Sequence, residues 1–122
     1  MNLGNFSVSL TVKNIQESLK FYEALGFQQV SGDLTENWCV LQNGEARIGL
    51  FQGLLEENLL TFNPKWDKNK QTVEGMEDIR EIAGSMEKKG FKLEDDSLAG
   101  DGPGYFYLKD PDGNKLLFDQ YV

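Results

Sequence analysis

The chain has 122 residues, 39% of them hydrophobic and 26% charged, and carries a formal net charge of −8. That length suffices to bury the core of one soluble domain, and the acidity excludes the cationic surface that nucleic acid or an anionic membrane requires. With no histidine and a single cysteine, Cys39, the sequence also excludes Ser-His-Asp and Cys-His catalysis, imidazole or thiolate zinc ligation, and an internal disulfide.

The opening MNLGNFSV lacks the cationic and apolar regions of a signal peptide, and no stretch approaches the roughly 20 apolar residues of a membrane span. A cytoplasmic, reducing location is expected, which suits the lone thiol. NFSVSLTV (5–12) alternates Val8, Leu10 and Val12 with Ser7, Ser9 and Thr11, a strand whose second face carries hydroxyls. NIQESLKFYEALGF follows, with Ile15, Leu19, Tyr22 and Leu25 at helical spacing. Asn14 and Glu17 form a capping-box pattern, and Gly26 is the C-terminal stop. FQQVSG and NWCVLQ read as strands, Asn43-Gly44 as a tight hairpin turn, and ARIGLFQ as the returning strand. The order is β-α-β-β-β.

LLEEN is then a connector or a single helical turn. LLTFN reads as a strand ending at Pro64, and KWDKNKQTVEG as a long polar connection. MEDIREIAGSMEKKGF is the second helix, with Met76, Ile79, Ile82, Ala83 and Met86 on one face and Gly90 as its stop. FKLEDD reads as a strand opening at Phe91, and LAGDGPG as a mobile, glycine-rich turn able to gate a cleft. YFYLKD and KLLFDQYV are the last strands, joined by the turn PDGN. The order β-α-β-β-β has repeated itself: YEALGF answers MEKKGF, and WCVLQNGEARIGLFQ answers FYLKDPDGNKLLFDQ. The pattern predicts an α+β fold, one domain over 1–122 built from two tandem βαβββ modules, about 5–52 and about 58–122. The modules form a curved, cup-like mixed sheet with the helices on its outer face.

In such a fold the strand parity that packs on the helices leaves the other parity to line the cup. Ser7, Ser9 and Thr11 then look into a cavity rather than at bulk water, because Phe51, Leu59, Tyr105, Tyr107 and Leu117 share their face. Ligand pockets are mostly apolar with a few polar anchors. Thr61, Trp38, Arg47 and Trp66 complete the candidate ligand-binding set. Trp38 serves either core or pocket. Trp66, in the polar connection, is either a pocket or dimer contact or a local loop anchor. Arg47 is either a carboxylate clamp or half of a rim salt bridge. Gly49 marks either a close approach of ligand or backbone, or a bulge. Cys39 reads as a buried structural thiol, since no histidine exists to activate it. GDGPG is not a phosphate loop, because no helix follows it. Glu45 and Asp119 lie near strand ends and receive no catalytic role.

VSLTVKNIQESLKFYEALGF and YLKDPDGNKLLF resemble the vicinal oxygen chelate superfamily, the glyoxalase/bleomycin-resistance/extradiol-dioxygenase group. The first is similar to the family's opening strand and helix, with Asn14-Ile15 ahead of S-x-x-F-Y; the second is similar to its Asp-Pro-Asp-Gly-Asn turn before the final strand. The resemblance covers essentially the whole chain. It implies four inward metal-ligand positions, which fall here on Ser7, Gly49, Leu59 and Leu117, or on Gln71 in place of Leu59 if QTVEGM is the fifth strand. A hydroxyl, a glycine and two leucines offer one weak ligand. No metal, cofactor or catalytic residue is therefore expected, and the ion-dependent isomerisation, ring cleavage and epoxide opening of the family lose their Lewis acid. The resemblance then implies a homodimeric protein that holds a small organic ligand in an aromatic-lined cup, as the bleomycin-resistance type does. A lyase or isomerase of the glyoxalase type, working through carboxylate or tyrosine acid–base groups, is the alternative, and a fold relic that acts on another protein is a third.

Overall fold

A computed structural model describes every residue, Met1–Val122. The fold is α+β, with eight strands and two helices in the order β1(Asn5–Val12), α1(Ile15–Ala24), β2(Gln28–Asp33), β3(Trp38–Asn43), β4(Ala46–Gln52), β5(Leu59–Asn63), α2(Ile79–Lys88), β6(Asp96–Ser97), β7(Gly104–Lys109), β8(Lys115–Gln120). The βαβββ order thus occurs twice, as the sequence predicts. The chain divides into two compact units, residues 7–59 and residues 1–6 with 60–122.

In the unit of residues 7–59 the strand order is β2-β3-β4-β1. β1 runs parallel to β4, with Ser9 beside Gly49 and Thr11 beside Phe51. β3 runs antiparallel to β4, pairing Trp38 with Phe51, Val40 with Gly49 and Gln42 with Arg47. Asn43 still pairs with Ala46, so the hairpin's loop residues are Gly44 and Glu45 rather than Asn43 and Gly44. The core is Ile15, Cys39, Leu41 and Leu50, with Leu10, Val12, Leu19 and Tyr22 packed against it. The apolar parity of β1 therefore meets the stripe of α1. Of the opposite parity, Ser7 and Ser9 are only 9% and 6% exposed, so these hydroxyls do not face bulk water. Thr11 differs: it is exposed, and its hydroxyl donates to the Leu55 carbonyl (3.1 Å) in LLEEN, which forms bends and no helical turn.

In the other unit the order is β5-β8-β7-β6. β7 and β8 are antiparallel, pairing Tyr105 with Asp119, Phe106 with Phe118 and Tyr107 with Leu117. Ile79, Ile82, Ala83, Phe106, Leu108 and Phe118 form the core, with Phe106 and Phe118 stacked at 4.6 Å. Burying side chains of this size contributes about 1.5–3 kcal/mol each. Met76 lies before the helix, because Asp78 caps it by accepting from the Arg80 amide. FKLEDD is not a strand. Phe91 is exposed and its amide is taken by Met86, and regular pairing with β7 begins only at Asp96.

Both helices are held by the same devices. Gln52 Oε1 accepts from the Ile15 amide and Gln120 Oε1 from the Ile79 amide, each at 2.8 Å. Asn14 and Asp78 accept from the amides of Glu17 and Arg80. At the other end Gly26 and Gly90 adopt φ of +97° and +95°. Their amides reach back to Glu23 and Glu87, and those of Phe27 and Phe91 to Tyr22 and Met86, the Schellman pattern.

The glycine-rich turn is tied down rather than loose. The Arg80 guanidinium donates to the carbonyls of Leu98, Gly102 and Pro103 and to Asp78. Gln120, 1% exposed, adds bonds to Gly102, Val122 and Asp78. Burial pushes the Asp78 carboxyl up, but the bonds from the Arg80 amide, Gln120, the Arg80 guanidinium and Lys65 outweigh it and hold the group well below the usual carboxylate range.

Gln120→Ala, which removes four hydrogen bonds, one of them to the buried Ile79 amide, is expected to lower stability by about 2–4 kcal/mol, and Gln52→Ala by about 1 kcal/mol, in urea unfolding followed by circular dichroism. Asp78 binds its proton less readily folded than unfolded, where its value is about 3.9. Its stabilisation is therefore present above that value and lost as pH falls below it. The stability gap between the wild type and Asp78→Asn is expected to shrink between about pH 6 and pH 2; a constant gap refutes the assignment.

Candidate functional site

In residues 7–59 the strand face turned from α1 carries Ser7 and Ser9 on β1, Arg47, Gly49 and Phe51 on β4, and Trp38, Val40 and Gln42 on β3. The indole of Trp38 lies parallel to the Phe51 ring at 6.2 Å and 7°. Arg47 is only 8% exposed and donates to Gln42 Oε1 at 2.6 Å, directly across the hairpin. This arginine is thus a buried cation on the wall, not a rim residue. Gly49 keeps its register with both neighbouring strands, which excludes a bulge. A Cβ there would come within 2.7 Å of Phe51 Cε2, so the glycine makes room for that ring. Cys39, on the opposite parity, is fully buried in the core, and burial, with the nearby Glu23 charge, pushes its thiol up. It is a structural thiol. Leu59 closes this unit and is buried.

In the other unit the face turned from α2 carries Thr61 and Asn63 on β5, Leu117 and Asp119 on β8, and Tyr105 and Tyr107 on β7. The two tyrosine rings meet edge to face at 5.9 Å, and Lys115 Nζ lies 4.6 Å over Tyr107. Asn63 donates to the Asp119 carbonyl and accepts from Asn5, both at 2.9 Å. Burial pushes the Asp119 carboxyl up against the opposing effect of a hydrogen bond from Tyr121. Burial and the Asp119 charge push the Tyr121 hydroxyl up to about 12. Burial, then Asp119, Tyr105 and Asp95, raise Tyr107.

Trp38, Phe51, Arg47, Ser7 and Ser9 thus share one strand face within residues 7–59, and Tyr105, Tyr107, Leu117 and Thr61 share a strand face within the other unit. Trp66 joins neither: it stacks on Tyr121 at 4.6 Å and 3°, an anchor for its own loop. Gln42, Asn63 and Tyr121 escape the sequence reading, which considers Asp119 but gives it no role. Gln42 was within reach of a hairpin register count from Arg47, and Asp119 within reach of extending the Leu117 parity by one step.

Two βαβββ units, each with its helix on one sheet face and aromatic and polar side chains on the other, define a protein of the paired-module class. The model of the Glyoxalase/Bleomycin resistance protein/Dioxygenase superfamily matches residues 6–118, and the chain belongs to that superfamily. Similar solved structures include a superfamily member from Vibrio splendidus 12B01, at 16% identity and TM-score 0.64, covering 95% of this chain and 97% of that one. A Legionella pneumophila protein named as an NAD-dependent benzaldehyde dehydrogenase aligns at 19% identity and TM-score 0.70, over 96% and 99% of the two chains. A hypothetical protein from Bacillus halodurans C-125 aligns at 16% and 0.62, over 99% and 94%. At these identities the likeness is one of fold. No curated protein sequence matches the chain. No helix is long and apolar enough to cross a membrane.

The residues present do not fit the metal centre that the family resemblance implies. β5 is Leu59–Asn63, so the fifth-strand position is Leu59; Gln71 lies in the connecting loop, its amide donating to the Asp67 carboxylate (3.0 Å). The four positions hold one hydroxyl, a glycine and two leucines, and no three His, Cys, Asp or Glu side chains come together anywhere in the chain. A divalent ion takes several charged or imidazole donors.

Gly49→Ala is expected to push the Phe51 ring off its seat and break its stack with Trp38. The readouts are a shifted tryptophan emission and a stability loss of about 1–3 kcal/mol from overpacking. Unchanged emission means that the ring does not depend on the glycine.

Proposed function

We propose that this protein binds a small organic molecule on the strand faces turned from its helices, and does so without the metal centre of its superfamily. What supports the reading is the composition of those faces: paired aromatic rings, Trp38–Phe51 and Tyr105–Tyr107, among a few fixed polar groups, Ser7, Ser9, Thr61 and the Arg47–Gln42 pair. Apolar walls with sparse, positioned polar anchors are what organic-ligand sites consist of. The rings supply area and stacking, and the anchors fix orientation. Arg47 suits a carboxylate or another planar anion, which its guanidinium meets with two parallel hydrogen bonds. In this reading the protein is a cytoplasmic homodimer that sequesters its ligand unchanged.

One observation favours a second reading, a lyase- or isomerase-type enzyme. Asp119, a carboxyl with raised proton affinity beside tyrosines, is a candidate general acid–base group. Turnover of any bound compound, followed by NMR, separates the two.

A thermal-shift panel of small aromatic compounds and divalent ions tests the proposal. An organic ligand at about 100 times its Kd is expected to stabilise the folded chain by about 2.7 kcal/mol. Phe51→Ala is expected to weaken binding by about three- to tenfold. Stabilisation by nickel, zinc or manganese, with stoichiometric metal in elemental analysis after dialysis, overturns the metal-free reading. A single-chain mass in light scattering at micromolar concentration overturns the dimer.

A further inference from the structure

We infer that the β7–β8 face is a site for an organic cation, a protonated amine on a compact apolar body, with Asp119 as its counter-ion and the rings of Tyr105 and Tyr107 as its walls. The inference rests on the small-molecule reading above and assigns the charge that the β7–β8 face takes, as Arg47 assigns the opposite charge to the β4 face in residues 7–59.

The register of the two strands places these groups together. Tyr105 is directly opposite Asp119 and Tyr107 directly opposite Leu117, all on the face turned from α2. Opposed residues of an antiparallel pair hold their Cβ atoms about 4.5–5.5 Å apart. The carboxylate therefore stands at the edge of an aromatic pair whose rings meet at 5.9 Å. The side-chain bond that Asp119 receives comes from the Tyr121 hydroxyl, and no lysine or arginine is among the groups acting on it. A carboxylate accepts up to about four hydrogen bonds, so one donor leaves most of its capacity open. Burial of a carboxylate without a cation is costly, and a docking ammonium relieves that cost.

The rings favour the same sign. The π-face of tyrosine attracts cations and repels anions. Tyr107 already holds one ammonium, Lys115 Nζ at 4.6 Å, so the ring beside Asp119 that is offered to a ligand is that of Tyr105 opposite it. A metal ion is a poorer match, because no three acidic or thiol side chains converge here or elsewhere. At long range the net charge of −8 draws cations toward the protein.

The test is an NMR titration of the full chain with three probes of one shape: 2-phenylethylamine, protonated at neutral pH, 2-phenylethanol, and phenylacetate. The amine is expected to shift the backbone amides of 105–107 and 117–121 and to bind about tenfold or more tightly than the alcohol, with phenylacetate weakest. Asp119→Asn keeps an acceptor for the Tyr121 hydroxyl and is expected to bring the amine down to the level of the alcohol while leaving the alcohol unchanged. If that variant does not fold, Tyr105→Leu serves instead and is expected to weaken the amine about threefold or more. Equal binding of amine and alcohol, or an amine affinity untouched by Asp119→Asn, overturns the inference and leaves the small-molecule reading standing. No shift with any of the three probes also overturns the inference; whether the wider aromatic panel then stabilises the protein decides the reading beneath it.

Discussion

Each helix of this protein begins on a glutamine. The first free amide of α1 is taken by Gln52 Oε1 and that of α2 by Gln120 Oε1, both from the last residue of a strand. A helix start leaves four amides without an intrahelical partner, and satisfying one from the sheet fixes where the helix sits and which strand face it covers. Once that face is covered, the alternation of a strand sends every second side chain to the other one. The whole division of labour follows from this placement: Leu10, Leu41 and Leu50, or Phe106, Leu108 and Phe118, go to the helix, while Ser9, Phe51, Tyr105, Tyr107 and Asp119 remain on the opposite face.

The two placements are not equally strong. Gln52 makes its one bond from a half-buried position, whereas Gln120 is buried and also donates to Asp78, Gly102 and Val122. Asp78 is at once helix cap, partner of Gln120 and ion-pair partner of Lys65 and Arg80. Arg80 then ties down the carbonyls of a turn that its three glycines would otherwise leave slack. This network belongs to one unit alone. The duplicated order of elements has therefore kept its shared parts, the glutamine, the Asx cap and the Schellman glycine, and diverged in what surrounds them.

Much of the fold was legible because those shared parts are local signals. Asn5–Val12 alternates cleanly, Asn14 and Gly26 bracket a helix, and the PDGN turn separates two strands of matching length. What was misread depends on partners distant in sequence. Met76 has helical spacing, but Asp78 caps first. Phe91 looks like the start of a strand, but the Schellman motif takes its amide. The glycine-rich turn looks mobile because nothing in its own composition announces Arg80. The candidate walls were legible to the same degree: parity collects Ser7, Ser9, Phe51, Tyr105 and Tyr107, yet it cannot show that Arg47 is buried against Gln42 or that Trp66 lies on Tyr121. Nearness to a strand end gives Asp119 no role in the sequence, although the register continues through it to Gln120.

The residues at the positions where the resemblance implies metal ligands carry a different chemistry. A divalent ion gives a site a strong, compact charge that any oxygen-rich ligand can use. With Ser7, Gly49, Leu59 and Leu117 in those places, the charge recognition proposed above falls to the groups fixed by the strands themselves. Arg47 is held by Gln42 across a hairpin, and Asp119 is held between a tyrosine opposite and a tyrosine two residues on. Such groups are directional where an ion is not, and Asp119 stands opposite a tyrosine in the strand register. Gly49 belongs to the same change: the position that would carry a carboxylate instead admits the Phe51 ring that stacks on Trp38. In the function proposed for it, a face of this kind selects by ring shape and by the sign of a local charge.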